Sequence, residues 1–219
     1  MSSDAPPRML VVAGPNGSGK TTFARTYVAG NLLADDVYLN PDDIAKNVFG
    51  DWNNPEAVSK AAREAERIRN VRLERRLDIV FETVFSSREK VEYLARAKDA
   101  GYEIHMVFIG TESPVINAGR VAERVMEGGH AVPIPKIVSR FNPSIAQALF
   151  VAQKGMASRV LVYDNSEERA PFRFVFDIAD GAIVERAEEI PAWCRVFSDR
   201  LPESEADPEI EGASSWWKR

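Results

Sequence analysis

The stretch Gly14-Pro15-Asn16-Gly17-Ser18-Gly19-Lys20-Thr21 matches G-x-x-x-x-G-K-[ST] at every position. Its surroundings are those the pattern requires. The apolar run Met9 to Ala13 precedes it as a strand, and Thr21 to Val28 follows as a helix. Glycines in such a loop let backbone N–H groups turn inward and approach an anion without a Cβ in the way. The helix that opens at Lys20 adds unpaired N–H groups and the positive end of its dipole. Lys20 can reach the β- and γ-phosphates of a nucleoside triphosphate, and the Thr21 hydroxyl can ligate Mg²⁺. The loop is therefore expected to bind Mg²⁺ with ATP or GTP through Gly14, Pro15, Asn16, Gly17, Ser18, Gly19, Lys20, Thr21 and Thr22.

Outward from the loop, apolar strands and helix patterns alternate. Val37 to Leu39 predicts a second strand, and Asn40-Pro41 starts a helix, with asparagine as cap and proline at the first helical position. Asn54-Pro55 starts a long helix expected to reach Leu77, before a third strand from Ile79 to Phe81 that ends at Glu82. Arg88 to Ala100 predicts a helix stopped by Gly101. Ile104 to Ile109 is a strand, Ser113-Pro114 opens a helix through Glu127, and Lys136 to Ala157 predicts a helix broken at Asn142-Pro143. Val160 to Tyr163 is a fifth strand, and Asp180-Gly181 joins Phe172 to Ile178 and Ala182 to Glu185 as a hairpin. This order predicts an α/β fold: a doubly wound, mostly parallel sheet of P-loop NTPase type, helices on both faces and a C-terminal hairpin. The domain is expected to occupy residues 1–198, with 199–219 an acidic mobile tail carrying Trp216 and Trp217.

The 219 residues are 45% hydrophobic and 28% charged, ordinary for a globular protein. A net charge of −5 argues against broad phosphate neutralisation, so nucleic acid is not the expected partner. One cysteine, Cys194, and two histidines exclude an internal disulfide and a multi-cysteine zinc site. Neither a signal-peptide core nor a membrane-length apolar run is present, so a cytoplasmic protein without a membrane partner is expected.

A phosphate-binding loop does not say what is done with the nucleotide. Ligands of open α/β sheets bind beyond the carboxyl ends of the strands, so Asp42 and Asp43, in the first turn after the second strand, should face the phosphates. A carboxylate there can accept the proton of an attacking hydroxyl; acids in a first helical turn also simply favour the dipole. Glu82 stands where an acid can approach Mg²⁺ or its waters. Arg120 and Arg124 share one helix face, and Arg140 follows on the next helix. Arginines in such positions can stabilise charge on a transferring phosphoryl group, or form an exposed charged face.

These segments resemble the zeta-toxin family of bacterial toxin–antitoxin kinases, and look closest to its short branch of predicted P-loop ATPases. The resemblance is carried by Ala13 to Thr22, by Leu39-Asn40-Pro41-Asp42-Asp43-Ile44-Ala45, by Phe81-Glu82-Thr83, and by Arg120-Val121-Ala122-Glu123-Arg124-Val125 running into Gly128-Gly129-His130-Ala131-Val132-Pro133. It implies a kinase that phosphorylates a hydroxyl of a UDP-activated amino sugar such as UDP-N-acetylglucosamine, and an antitoxin that covers the nucleotide site. By motif position Asp42 resembles the catalytic base, Asp43 the dipole acid, and Arg124 or Arg120 the first γ-phosphate arginine. Glu82, Thr83, Glu66 and His130 fall near substrate-binding positions. The second clamp arginine has no clear counterpart: His130 stands near it, and Arg140 is the alternative. The acid and threonine of the third strand are adjacent here, a shift of one residue. Little chain precedes the first strand, so the resemblance leaves no N-terminal helix for an antitoxin to grip.

Two other readings fit the loop alone. A different acceptor, such as another metabolite, a nucleoside or an RNA end, keeps the kinase. A nucleotide-dependent switch or partner-binding module does not. The fifth strand ends Tyr163-Asp164-Asn165-Ser166, which lacks the Asn-Lys-x-Asp guanine motif, and no Ser-Gly-Gly transporter signature occurs.

Overall fold

A computed structural model describes residues 5–28, 38–49 and 54–204. Its centre is a seven-stranded sheet in the order β2-β3-β1-β4-β5-β6-β7. The strands are β1 (Arg8–Ala13), β2 (Tyr38–Leu39), β3 (Ile79–Thr83), β4 (Glu103–Gly110), β5 (Arg159–Asp164), β6 (Arg173–Ala179) and β7 (Ala182–Arg186). β1 to β5 run parallel, and β6 and β7 add an antiparallel hairpin at one edge. The doubly wound, mostly parallel sheet with a C-terminal hairpin is thus observed.

Strand alternation sorts the core into two layers. Met9, Val11, Ala13, Ile79, Phe81 and Phe108 bury into one face, while Leu10, Val12, Val80, Val107 and Leu161 bury into the other. A parallel sheet needs cover on both sides, which explains why β1 is apolar at nearly every position. The cover comes from α1 (Lys20–Phe23), α2 (Pro41–Phe49), α3 (Pro55–Glu74), α4 (Arg88–Asp99), α5 (Pro114–Met126), α6 (Ile134–Gln153) and α7 (Arg195–Arg200). Phe23 and Val28 of the first helical segment lie with Leu10 and Val12, so that segment covers the second face. Beyond Phe23 this segment widens into a π-helical turn, Ala24–Val28.

Proline and asparagine start the helices as their chemistry dictates. Asn40 accepts from Asp42 N at 2.9 Å, and Asn54 accepts from Glu56 N at 2.9 Å. The Asp180-Gly181 turn has both residues at positive φ, 48° and 88°, as a two-residue hairpin demands.

Three expectations need correction. α3 ends at Glu74, not Leu77, and Arg76 adopts a left-handed φ of 54° after it. α6 runs from Ile134 to Gln153 without a break, although Pro143 lies inside it. Ile137, Phe141, Ile145, Ala148 and Leu149 are all buried along that helix, and this packing outweighs the roughly 3 kcal/mol that an interior proline costs. Packed structure also continues past residue 198. Leu201 is buried, Ile183 N donates to Pro202 O at 2.8 Å, and Ser204 N donates to Ile183 O at 2.7 Å. Trp216 and Trp217 lie outside the described residues. Among the described residues no helix is long and apolar enough to cross a membrane.

Candidate active site

The carboxyl ends of the parallel strands fall in one row. Ala13 pairs in register with Thr83 and with Phe108, and Gly110 pairs with Asp164. The loop 14–19 therefore rises from the middle of this row and leads directly into α1. Gly19 has φ 97° and caps α1 in the left-handed region, so a side chain there would be strained. A Cβ on Gly17 would fall 2.5 Å from the Asn117 carbonyl oxygen, so the loop lies directly on α5.

The two faces of β3 explain Glu82. Ile79 and Phe81 point into the first layer, and Val80 and Glu82 into the second, which is the side of α1. There Thr21 Oγ1 donates to Glu82 Oε2 at 2.8 Å. Among the described residues Glu82 Oε1 is buried without a partner. Burial pushes the carboxyl pKa up, against the opposing pull of Lys20 and the Thr21 hydrogen bond. Lys20 Nζ donates to the Pro15 carbonyl at 2.8 Å, and burial brings its pKa down to about 8. Glu82 and Asp42 work against that lowering, while the positive charge of Arg124 adds to it. Lys20, Glu82, Asp42 and Arg124 thus share one electrostatic site.

The aspartate pair is resolved by Arg25. Its Nη2 lies 3.2 Å from Asp43 Oδ1, so Asp43 is paired across to α1's extension. Asp42 instead faces His130, whose Nε2 is 3.9 Å from Asp42 Oδ1. The Gly128-Gly129-His130 turn is moulded on Arg124. Gly128 N donates to Val125 O and Gly129 N to Arg124 O, at 3.0 and 2.8 Å, which closes α5 in a Schellman cap. A Cβ on Gly129 would fall 2.5 Å from Arg124 Cγ, and Arg124 Nη2 donates to His130 O at 2.7 Å. Two glycines are needed here so that the chain can fold back over the arginine.

Arg120, one turn earlier, is committed elsewhere. Its Nη1 donates to Asn165 O at 2.6 Å, and its Nη2 lies 3.5 Å from Ser166 O. Together with Val115, Gly119, Glu167 and Arg169 it lines a cavity of about 490 Å³ between α5 and the turn after β5. Thr83 Oγ1 accepts from Phe85 N at 3.1 Å and so shapes the turn after β3. Arg140 is half-buried one turn before Ser144, whose hydroxyl donates to Val84 O. Thr22 is exposed on α1. Glu66 is exposed on α3, where its charge is felt by Arg69.

The family model described as Zeta toxin matches residues 1–173. The chain belongs to the zeta toxin family. Membership supports a nucleotide-dependent phosphotransferase. The solved structures it resembles include a chain of the AvrRxo1-ORF1:-ORF2 complex with ATP, at TM-score 0.64 and 16% identity, covering 94% of this chain and 65% of that one. They also include a chain of the PezAT chromosomal toxin–antitoxin system of Streptococcus pneumoniae, at TM-score 0.56 and 14% identity, covering 91% and 87%. This chain thus spans about two thirds of the AvrRxo1 chain. In sequence it is 27% identical over 126 residues to a protein of Haemophilus influenzae, covering 57% of this chain and 86% of that protein.

Within this zeta toxin domain one buried residue goes beyond the sequence reading. Asn165 Nδ2 donates to the Ser18 carbonyl at 2.9 Å. The only hint of it in sequence is its place just past the end of an apolar strand, where ligand-side residues of α/β sheets gather.

Proposed function

We propose that the chain transfers the γ-phosphate of ATP or GTP to a hydroxyl of a small molecule, with a UDP-activated amino sugar such as UDP-N-acetylglucosamine as acceptor. The observation that carries this reading is the convergence on Lys20 of two carboxylates, Asp42 and Glu82, and one guanidinium, Arg124. Two carboxylates beside the loop lysine give the site one group that can accept a proton and another that can hold a cation.

Loop amides 16–21 bind the phosphates, and Lys20 neutralises charge on the β- and γ-groups. Asp42 receives the proton of the acceptor hydroxyl as the new O–P bond forms and the bond to the β-phosphate oxygen breaks. Arg124 stabilises the charge that builds on the equatorial oxygens, with Arg140 the alternative for a second clamp arginine and His130 beside the Asp42 carboxylate. Glu82 and Thr21 offer hard oxygen donors, and Glu82 Oε1, without a partner among the described residues, would fit a hard cation such as Mg²⁺. When bound, the cation supplies charge neutralisation across the β- and γ-phosphates. The cavity beside Arg120 offers a recess for the base. An antitoxin protein that occludes this cleft is the partner in keeping with the family.

The test incubates the purified protein with Mg²⁺ and γ-labelled ATP or GTP against UDP-sugars, nucleosides and RNA ends. Label on a UDP-amino sugar is expected. Label on another acceptor would overturn the acceptor assignment, and hydrolysis without transfer to any acceptor would overturn the kinase reading.

A further inference from the structure

Asn165 is buried, and four of its polar groups are engaged. Its backbone N donates to Gly110 O at 2.9 Å, and its backbone O accepts from Arg120 Nη1 at 2.6 Å. Its Oδ1 accepts from Phe172 N at 3.3 Å, which leaves the amide nitrogen aimed at Ser18 O, 2.9 Å away. A Cβ on Gly19 would fall 2.5 Å from that same nitrogen, so the contact is as close as the loop allows.

The consequence follows from peptide geometry. In a planar trans peptide the carbonyl and the next N–H point in opposite directions. Holding Ser18 C=O on Asn165 therefore turns the Gly19 N–H away from Asn165, toward the side where the loop amides face an anion. The turn that carries Asn165 is itself fixed from both flanks. Asp164 Oδ1 accepts from Trp193 Nε1 at 2.8 Å, and Ser166 Oγ accepts from Glu112 N at 2.8 Å.

We propose that Asn165 is the positioning residue of the phosphate-binding loop, setting the Ser18–Gly19 peptide plane so that the Gly19 N–H meets the nucleotide phosphates. The inference rests on the loop being a nucleotide site, as argued above. It acts on the phosphate end of the ligand and not on the base.

The test compares wild type with Asn165→Ala and Asn165→Asp, titrating each with Mg-ATP and with magnesium tripolyphosphate by calorimetry at a temperature where all are folded. The isosteric aspartate keeps the shape of the side chain and the acceptor for Phe172 N and removes the donor to Ser18, so it separates loss of the donor from loss of packing. Both ligands are expected to weaken by about tenfold in either variant, the scale of one lost buried hydrogen bond. Unchanged affinities in folded variants would overturn the proposal, since a purely structural role alters melting temperature alone. Loss confined to Mg-ATP would also overturn it, because the contact would then serve the base. A wild type that binds neither ligand would instead remove the nucleotide-site reading itself.

Discussion

The Thr21 hydroxyl donates to one oxygen of Glu82 at 2.8 Å, and the other oxygen of that carboxylate is buried with no partner among the described residues. The two residues lie on different elements and meet because β3 alternation turns Glu82 toward α1. A buried, half-satisfied carboxylate beside a hydroxyl at a phosphate loop is a place for a hard cation. Glu82→Gln keeps the shape and the acceptor for Thr21 but removes the charge. The Mg²⁺ concentration for half-maximal transfer is expected to rise by about tenfold or more, the range seen when groups supporting a metal are altered. A titration with unchanged Mg²⁺ dependence would remove Glu82 from the cation site.

Lys20 makes a prediction about pH. Burial brings its free-state pKa down to about 8, and the negative charge of bound phosphates must push it back up. Above that value the free side chain is neutral, so nucleotide binding takes up a proton and affinity falls as pH rises. Well below it Lys20 is already charged and contributes no uptake. Calorimetry in two buffers of different ionisation enthalpy should show proton uptake at about pH 9 and none from this group at about pH 6.5. Equal proton counts at the two values would contradict the lowered pKa.

What the sequence made legible depended on whether the deciding physics was local. Asn40-Pro41 and Asn54-Pro55 start helices because the asparagine oxygen caps N–H groups two residues on. Asp180-Gly181 turns a hairpin for an equally local reason. Arg120 and Arg124 were indistinguishable on one helix face. Only the fold shows that one is held by carbonyls after β5 and the other lies under the Gly128-Gly129 turn. Pro143 misled because its local penalty is set against burial of an entire helix face. Asn165 was out of reach because its contact to Ser18 spans 147 residues and exists only once β1 and β5 are brought to either side of β4 in the sheet.

Asp42 and Asp43 are adjacent in sequence and separable in chemistry. Asp43 pairs with Arg25 at an exposed edge, whereas Asp42 is left facing the loop lysine. Asp42→Asn is expected to lower kcat by about 10²- to 10⁴-fold, as loss of a general base does, while nucleotide affinity stays near wild type. Asp43→Asn should change kcat little and cost less than about 1 kcal/mol of stability, as an exposed pair does. Steady-state kinetics on both variants decides between them. Equal losses in the two would mean that neither is the base.

The C-terminal segment offers a last test, on stability. Leu201 is buried against the first core layer, and the chain beyond it bonds to both the N–H and the carbonyl of Ile183 on β7. Trp193 from the same segment packs on Gly110 and hydrogen-bonds Asp164, next to the residue that touches the phosphate loop. Leu201→Ala should therefore destabilise the domain by about 2–4 kcal/mol, since it empties a packed site. Ending the chain after Ser198 should cost more, because it also strips the edge strand of its partner. Urea unfolding followed by circular dichroism measures both. Wild-type stability in the shortened chain would mean that the chain past residue 198 contributes nothing to the fold, and that the domain closes at 198 after all.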